Sequence, residues 1–182
     1  MTLDATTREK MLSAIPELRA FAVLLTGNVE RADDLVQNTL LRAIAKIDLL
    51  PANTNLTTWL LAILRNRFRS GYGKRKSEIN GPNGTYATSF LGDPDQTTQL
   101  RFVELIKALS KLTDDHREAI VLVGAANYSY PEAAEICGCP VGTIKSRVNR
   151  ARLKLAAMLE IDERSEIRPK EWNIGVGGCL SR

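Results

Sequence analysis

Apolar positions recur along this chain at spacings of three and four, block after block, and strict alternation is almost absent. That is the period of a helix, so the pattern predicts an all-α protein. Met11, Leu12, Ile15, Leu18, Phe21, Ala22 and Leu25 mark a first helix from Thr7 to Thr26, which Gly27-Asn28 closes. A second helix, Glu30 to Ile47, carries a stripe of Ala32, Leu35, Val36, Thr39, Leu40, Ala43, Ile44 and Ile47. It leaves Arg31, Asp34, Gln37, Asn38, Leu41 and Arg42 outward. Leu41 among polar neighbours reads either as an isolated surface leucine, which is common, or as the centre of a protein interface. Pro51 and the run Asn53, Thr54 and Asn55 predict a loop leading into a third helix, Thr57 to Ser70, anchored by Trp59, Leu60, Ile63 and Leu64.

From Gly71 to Asp95 the pattern lapses into Gly, Pro, Asn, Ser and Thr, the composition of a flexible linker. Periodicity returns over Leu100 to Leu112, and Asp114 or Asp115 is placed to cap a helix through Ala119, Ile120, Leu122 and Val123. Two helices then follow in close succession. Pro131 fits a first turn, where its missing N–H costs nothing, and Ala133, Ala134, Ile136 and Cys137 offer small apolar packing surface. Gly138 can take the positive φ of a sharp turn, and a new helix starts near Val141 with Ile144, Val148, Ala151 and Leu155 on one buried stripe. This is a helix-turn-helix in outline. The chain therefore divides into a helical domain at 7–70, a linker at 71–97, a second helical domain at 98–160 and a tail at 161–182 with no periodicity, predicted to be disordered.

Composition and charge narrow the function. With 182 residues and 44% hydrophobic content the chain can pack cores in one domain or two small ones. A net charge of +4 is modest, but its placement is uneven. Leu49 to Ser77 holds Arg65, Arg67, Arg69, Lys74, Arg75 and Lys76 and no acidic residue, and Val141 to Leu159 repeats the pattern. Cations near a helix C-terminus are favourable, and that accounts for one or two of the arginines, not for a run that continues past the helix. On the last helix Thr143, Lys145, Ser146, Arg147, Asn149, Arg150, Arg152 and Lys154 all face outward. Such a face repels itself unless an anion lies against it. Arg and Asn have the fork geometries that read guanine and adenine edges in a major groove, while Lys and Ser suit phosphates. Two basic patches point to two contacts with one polyanion.

Other classes are set aside on the same evidence. No catalytic pair, phosphate loop or metal cluster stands out, so the chain is read as no enzyme, with no cofactor and no metal. Cys137 and Cys139 beside a single histidine, His116, make a poor zinc site and are read as buried structural cysteines; with Cys179 the count is odd and gives no disulfide framework. The apolar stretches are too short to span a bilayer, and no signal peptide is read at the N-terminus, so no membrane contact and a cytoplasmic location are expected.

Three blocks then carry a resemblance: ADDLVQNTLLRA (Ala32 to Ala43), TTWLLAILRNRFR (Thr57 to Arg69) and the long run from Leu112 to Leu155 that ends in GTIKSRVNRARLKL. In this order and spacing they resemble a sigma factor of the sigma-70 family, in the extracytoplasmic-function group that retains domains two and four. The wording HREAIVLVGAA and EAAEICGC is most similar to the EcfG-type sigma factors of a bacterial general stress response. The resemblance implies two small helical domains, sigma domain two and sigma domain four, joined by the linker. It implies a transcription initiation factor whose partners are core RNA polymerase and promoter DNA.

By position, Asp33, Asp34, Gln37 and Leu41 are implied to bind the clamp of the largest catalytic subunit. Asn53, Thr54, Asn55 and Trp59 are implied at the minus-ten element, with Asn66, Arg67 and Arg69 holding the non-template strand. Thr143, Lys145, Ser146, Arg147, Asn149 and Arg150 match positions that read the minus-thirty-five duplex. Asn53 to Thr58 holds no aromatic or charged residue, so an extruded base there is expected to be hydrogen-bonded rather than stacked. An anti-sigma factor of the NepR kind is the implied regulator. The alternative is a sigma-like mimic that sequesters an anti-sigma factor without initiating transcription.

Overall fold

The computed structural model describes residues 4–50, 54–72 and 96–159. Asn53, the linker residues 73–95, Cys179 and the tail from 160 onward lie outside the described residues. Among the described residues there are seven α-helices and no strand: α1 (Ala5–Thr26), α2 (Val29–Ala45), α3 (Leu56–Arg67), α4 (Gln96–Ser110), α5 (Asp114–Ile120), α6 (Tyr130–Cys137) and α7 (Val141–Met158). A 3-10 turn at Ile47–Leu49 follows α2, and wider π turns extend α3 over Phe68–Tyr72 and α5 over Val121–Ala125.

Local chemistry sets the boundaries. The Asp4 side chain accepts from Thr7 N at 3.3 Å to start α1, and Gly27 ends it at φ 68°. Asn28 then starts α2 by accepting from Arg31 N at 2.9 Å, so the helix begins at Val29. At α5 the cap is Thr113, not Asp114 or Asp115; both aspartates sit in the first turn, where their charge favours the positive end of the helix dipole. Ser129 and Glu132 close a reciprocal capping box on α6, with Pro131 in its first turn. Gly138 takes φ 60° at the other end and Cys139 N returns to Ala134 O at 3.1 Å, which folds the chain back toward α7.

Gly138 gives a simple test of that turn. A Cβ there would meet no atom within 4 Å, so substitution costs only backbone strain. Gly138→Ala is expected to lower stability by about 1 kcal/mol without changing the fold. Urea unfolding followed by circular dichroism checks this, and an unchanged midpoint would remove the argument for a required left-handed residue.

Burial follows the predicted stripes with two informative exceptions. Leu18, Leu25, Ala32, Leu35, Leu60, Leu64, Ile144, Ala151 and Leu155 are fully buried, and each large side chain removed from water contributes about 1.5–3 kcal/mol. Ile44 was expected on the buried stripe of α2 but is 48% exposed: it lies on the outward side with Leu41, three residues before it, while adjacent Ala43 is fully buried. Leu12 is also exposed, one turn before Pro16 in α1.

The two helical units predicted by the sequence share one contiguous hydrophobic cluster, from Met11 to Leu155. Helix α1 packs on α2 and α3 and also on α4 and α5, and α3 packs on α6. Ile106 Cγ2 would lie 3.3 Å from a Cβ placed on Gly27, so the turn after α1 is close against α4. Arg117 at the seam is buried and donates to Leu25 O at the end of α1 and to Leu109, Ser110 and Leu112 O around the end of α4, at 2.7–3.1 Å. It thereby satisfies helix C-terminal carbonyls from both units with one guanidinium. Tyr128 donates its hydroxyl to Glu17 across the same seam.

Candidate functional site

Helix α7 displays the face that the sequence predicts. Its apolar stripe is buried under α5 and α6, and this forces Lys145, Ser146, Asn149 and Arg150 into solvent. Thr143 and Arg147 are half-buried. Lys145 Nζ lies 5.9 Å from the ring centre of Tyr130, within cation–π range, which places its ammonium over the start of α6. Arg147 turns back toward the protein: its guanidinium is 3.2 Å from Asp115 Oδ1 and 3.7 Å from Cys139 Sγ. His116 lies behind this face. Burial, with Lys154 and Arg150 as neighbouring cations, holds its pKa below the ordinary histidine value.

The second basic element, on α3, is arranged differently from the expectation that Asn66, Arg67 and Arg69 act as one set. Asn55 is spent as a cap, accepting from Thr57 N at 2.8 Å, and Thr54 beside it is half-buried. Trp59 packs partly buried against the core. Asn66 is exposed and accepts from Arg65 at 3.4 Å. Arg67 is half-buried with its Nε enclosed and without a hydrogen-bond partner. Arg69 reaches the other unit. Its Nε donates to Glu118 Oε1 at 2.8 Å and its NH2 to Glu118 Oε2 at 2.8 Å, and the same NH2 also contacts Asp115 Oδ1.

Arg65 completes that cluster, donating to Glu118 Oε2 at 2.7 Å. Glu118 is fully buried, with two guanidiniums over its carboxylate. The bidentate bond to Glu118 raises the Arg69 pKa further above its ordinary value, against the opposing effect of burial. For Asp115, burial pushes the carboxyl up, but hydrogen bonding to Arg69 and the charges of Arg69, Arg147 and Arg65 outweigh it and hold the pKa low. Arg65, Arg117, Asp115 and Glu118 were not among the predicted site residues. A faint signal existed: Arg65 stands four residues after buried Leu61, and Glu118 four before buried Leu122, so both are charged residues on apolar stripes.

The third face is the outer side of α2. Asp33 is committed to a fork with Arg19, at 2.6 and 3.0 Å, and is thus tied to α1. Asp34, Gln37 and Leu41 are exposed, Leu41 at 67%. Ile44, three residues on, shares its face, so the two form an apolar pair in a polar field. Cys137 is buried and its thiol is pushed up to about 11, chiefly by burial, which makes it inert; Cys139 is half-buried rather than buried, opened by its place in the turn. Among the described residues no group of His, Cys, Asp and Glu could hold a metal, and no helix is long and apolar enough to cross a membrane.

Known proteins resemble this chain over both helical units. Residues 102–155 match the family model for sigma-70 region 4, and residues 11–65 match that for the sigma2 domain of PhyR. The chain is 53% identical over 171 residues to the ECF RNA polymerase sigma factor EcfG of Rhodopseudomonas palustris, covering 94% of each chain. The sigma factor RpoE of Bartonella quintana, solved in complex with the anti-sigma factor NepR, superimposes with a TM-score of 0.71 at 43% identity, over 87% of this chain and 99% of that one. The anti-anti-sigma factor PhyR of the same organism shares the fold, with a TM-score of 0.60 at 18% identity over 84% of this chain and 50% of that one. With two sigma-family segments in order and a sigma factor relative matched nearly end to end, the chain belongs to the extracytoplasmic-function group of the sigma-70 family of RNA polymerase sigma factors.

Proposed function

We propose that this protein directs core RNA polymerase to promoters of a general stress regulon, working in the cytoplasm and without catalysis of its own. The observation that carries the reading is the outer face of α7, where Lys145, Ser146, Asn149 and Arg150 project into solvent from a helix without a single carboxylate. Packed against α5 and α6 as the second helix of a helix-turn-helix, it suits a major groove, Arg150 and Asn149 reading base edges and Lys145 and Ser146 holding phosphates. The start of α3, with Thr54 and Asn55, would receive the minus-ten element, and Asn66, Arg67 and Arg69 the displaced strand. Asp34, Gln37 and Leu41 on α2 would meet the polymerase clamp, with Asp33 setting the face through its fork to Arg19.

The test is Arg150→Ala. Loss of one bidentate base contact is expected to weaken promoter binding by holoenzyme by about 1–3 kcal/mol and to relax preference at one position of the minus-thirty-five element. Binding measured by anisotropy on the cognate promoter and its single-base variants would show both effects. Unchanged affinity would take the duplex-reading role away from α7. A NepR-like anti-sigma factor fits as regulator, since the Bartonella relative binds one and shares 43% of its sequence with this chain. The mimic is the weaker reading: sequestering an anti-sigma factor gives no use for exposed base-reading residues on α7.

A further inference from the structure

Asp115 sits where the two basic elements meet. Its carboxylate faces Arg69 of the segment following α3 and Arg147 of α7, while Glu118, one turn along α5, takes the rest of the Arg69 fork together with Arg65. A carboxylate presents to a guanidinium the same planar pair of oxygens that a phosphate does. We infer that the Asp115–Glu118 edge of α5 is an internal substitute for the nucleic-acid backbone, which in the closed chain occupies the arginines of both DNA-contact elements at once. The inference rests on the promoter-contact reading of Arg69 and Arg147.

Several features favour this over a purely structural ion pair. The seam already has a shared apolar core, and a buried ion pair adds little to what well-packed apolar side chains give. A face that must separate and meet water, however, has to be wettable, and Arg65, Arg69, Asp115 and Glu118 provide that on both sides. The cluster is also graded. Glu118 is fully buried, whereas the Asp115 side chain is 43% exposed and Arg69 35% exposed, so a polyanion can approach at the Asp115 end and compete there first. With its Nε and NH2 held by Glu118 and Asp115, Arg69 has only NH1 left to offer a DNA strand, so a two-pronged grip on the strand parts α3 from α5. Opening of the chain and DNA binding become linked, and each favours the other.

The experiment compares the full chain with Asp115→Asn, which removes the shared carboxylate from an exposed position, and with Asp114→Asn, which makes the same change of net charge one residue away. Affinity is measured by anisotropy on an oligo(dT) strand and on a mixed-sequence duplex, and separation by energy transfer between dyes at exposed Asn38 and Ala157. Asp115→Asn is expected to tighten binding to both probes by about fivefold, at the lower end of ordinary coupling, and to lower the transfer efficiency. Asp114→Asn should change affinity by less than about twofold, the effect of one more positive charge. Glu118→Gln, isosteric and expected to keep its helix content by circular dichroism, should open the chain further. Equal effects of Asp115→Asn and Asp114→Asn on affinity would overturn the inference. Should no variant and no wild-type chain bind either probe at low salt, the promoter reading itself fails, and an unchanged transfer efficiency in Asp115→Asn and Glu118→Gln would overturn the ionic closure independently.

Discussion

Arg117→Met is expected to lower the stability of the full chain by about 3 kcal/mol, a loss comparable to truncating a buried leucine to alanine. The side chain is 4% exposed and donates to four main-chain carbonyls, Leu25 from α1 and Leu109, Ser110 and Leu112 around the end of α4. Each buried acceptor left without a donor costs about 1–3 kcal/mol, although water reaches the Ser110 side of the group and offsets part of that. Against the loss stands relief from burying a charge, and burial does pull the Arg117 pKa down, with Asp114 and Glu118 opposing it. Four acceptors outweigh one desolvated cation that Asp114 and Glu118 already favour. For a chain of this size the melting temperature should fall by about 6–12 °C. Arg117→Lys should recover only part of it, because a single ammonium lacks the planar fork that spans two helix ends. Calorimetry on the three chains decides the point, and a loss under about 1 kcal/mol for the methionine variant would show that water replaces the guanidinium.

Leu41→Glu is expected to abolish stable association with core polymerase while leaving the fold intact. The side chain is 67% exposed, so nothing in this chain depends on it for packing, and a surface substitution of that kind stays within about 0.5 kcal/mol of stability. At the centre of an interface the same change buries an unpaired carboxylate and removes an apolar anchor, and anchors of that type carry about 2–4 kcal/mol. Ile44 beside it should behave alike, with a smaller loss, since it is 48% exposed and lies nearer the end of α2. Size-exclusion chromatography of core polymerase with each variant, alongside melting curves of the free chain, separates the two effects. Co-elution of Leu41→Glu with core polymerase at wild-type level would remove α2 from the interface.

The helices and the orientation of α7 were legible in the amino-acid sequence, for a local reason, whereas the N-terminal caps were not: the cap expected at Asp114 or Asp115 is Thr113. Ile144, Val148, Ala151 and Leu155 lie within three turns of one another. Spacing alone then states which side is buried and which carries Lys145, Asn149 and Arg150. Leu41 was legible as outward too, although Ile44 was not, because it sits at the edge of the stripe, on the side of exposed Leu41 rather than of buried Ala43.

The sequence by itself therefore determined the class of fold, the two basic elements and the family, since all three are written in short-range spacing and in residue type. Tertiary structure alone decided what those elements touch when no partner is present. The bonds from Arg65 and Arg69 to Glu118 and Asp115 join residues 46–53 positions apart, and that from Arg117 to Leu25 joins residues 92 apart. No periodicity reports such pairings, because they depend on how two packed units meet, and a charged residue on an apolar stripe shows only that some partner must be waiting for it.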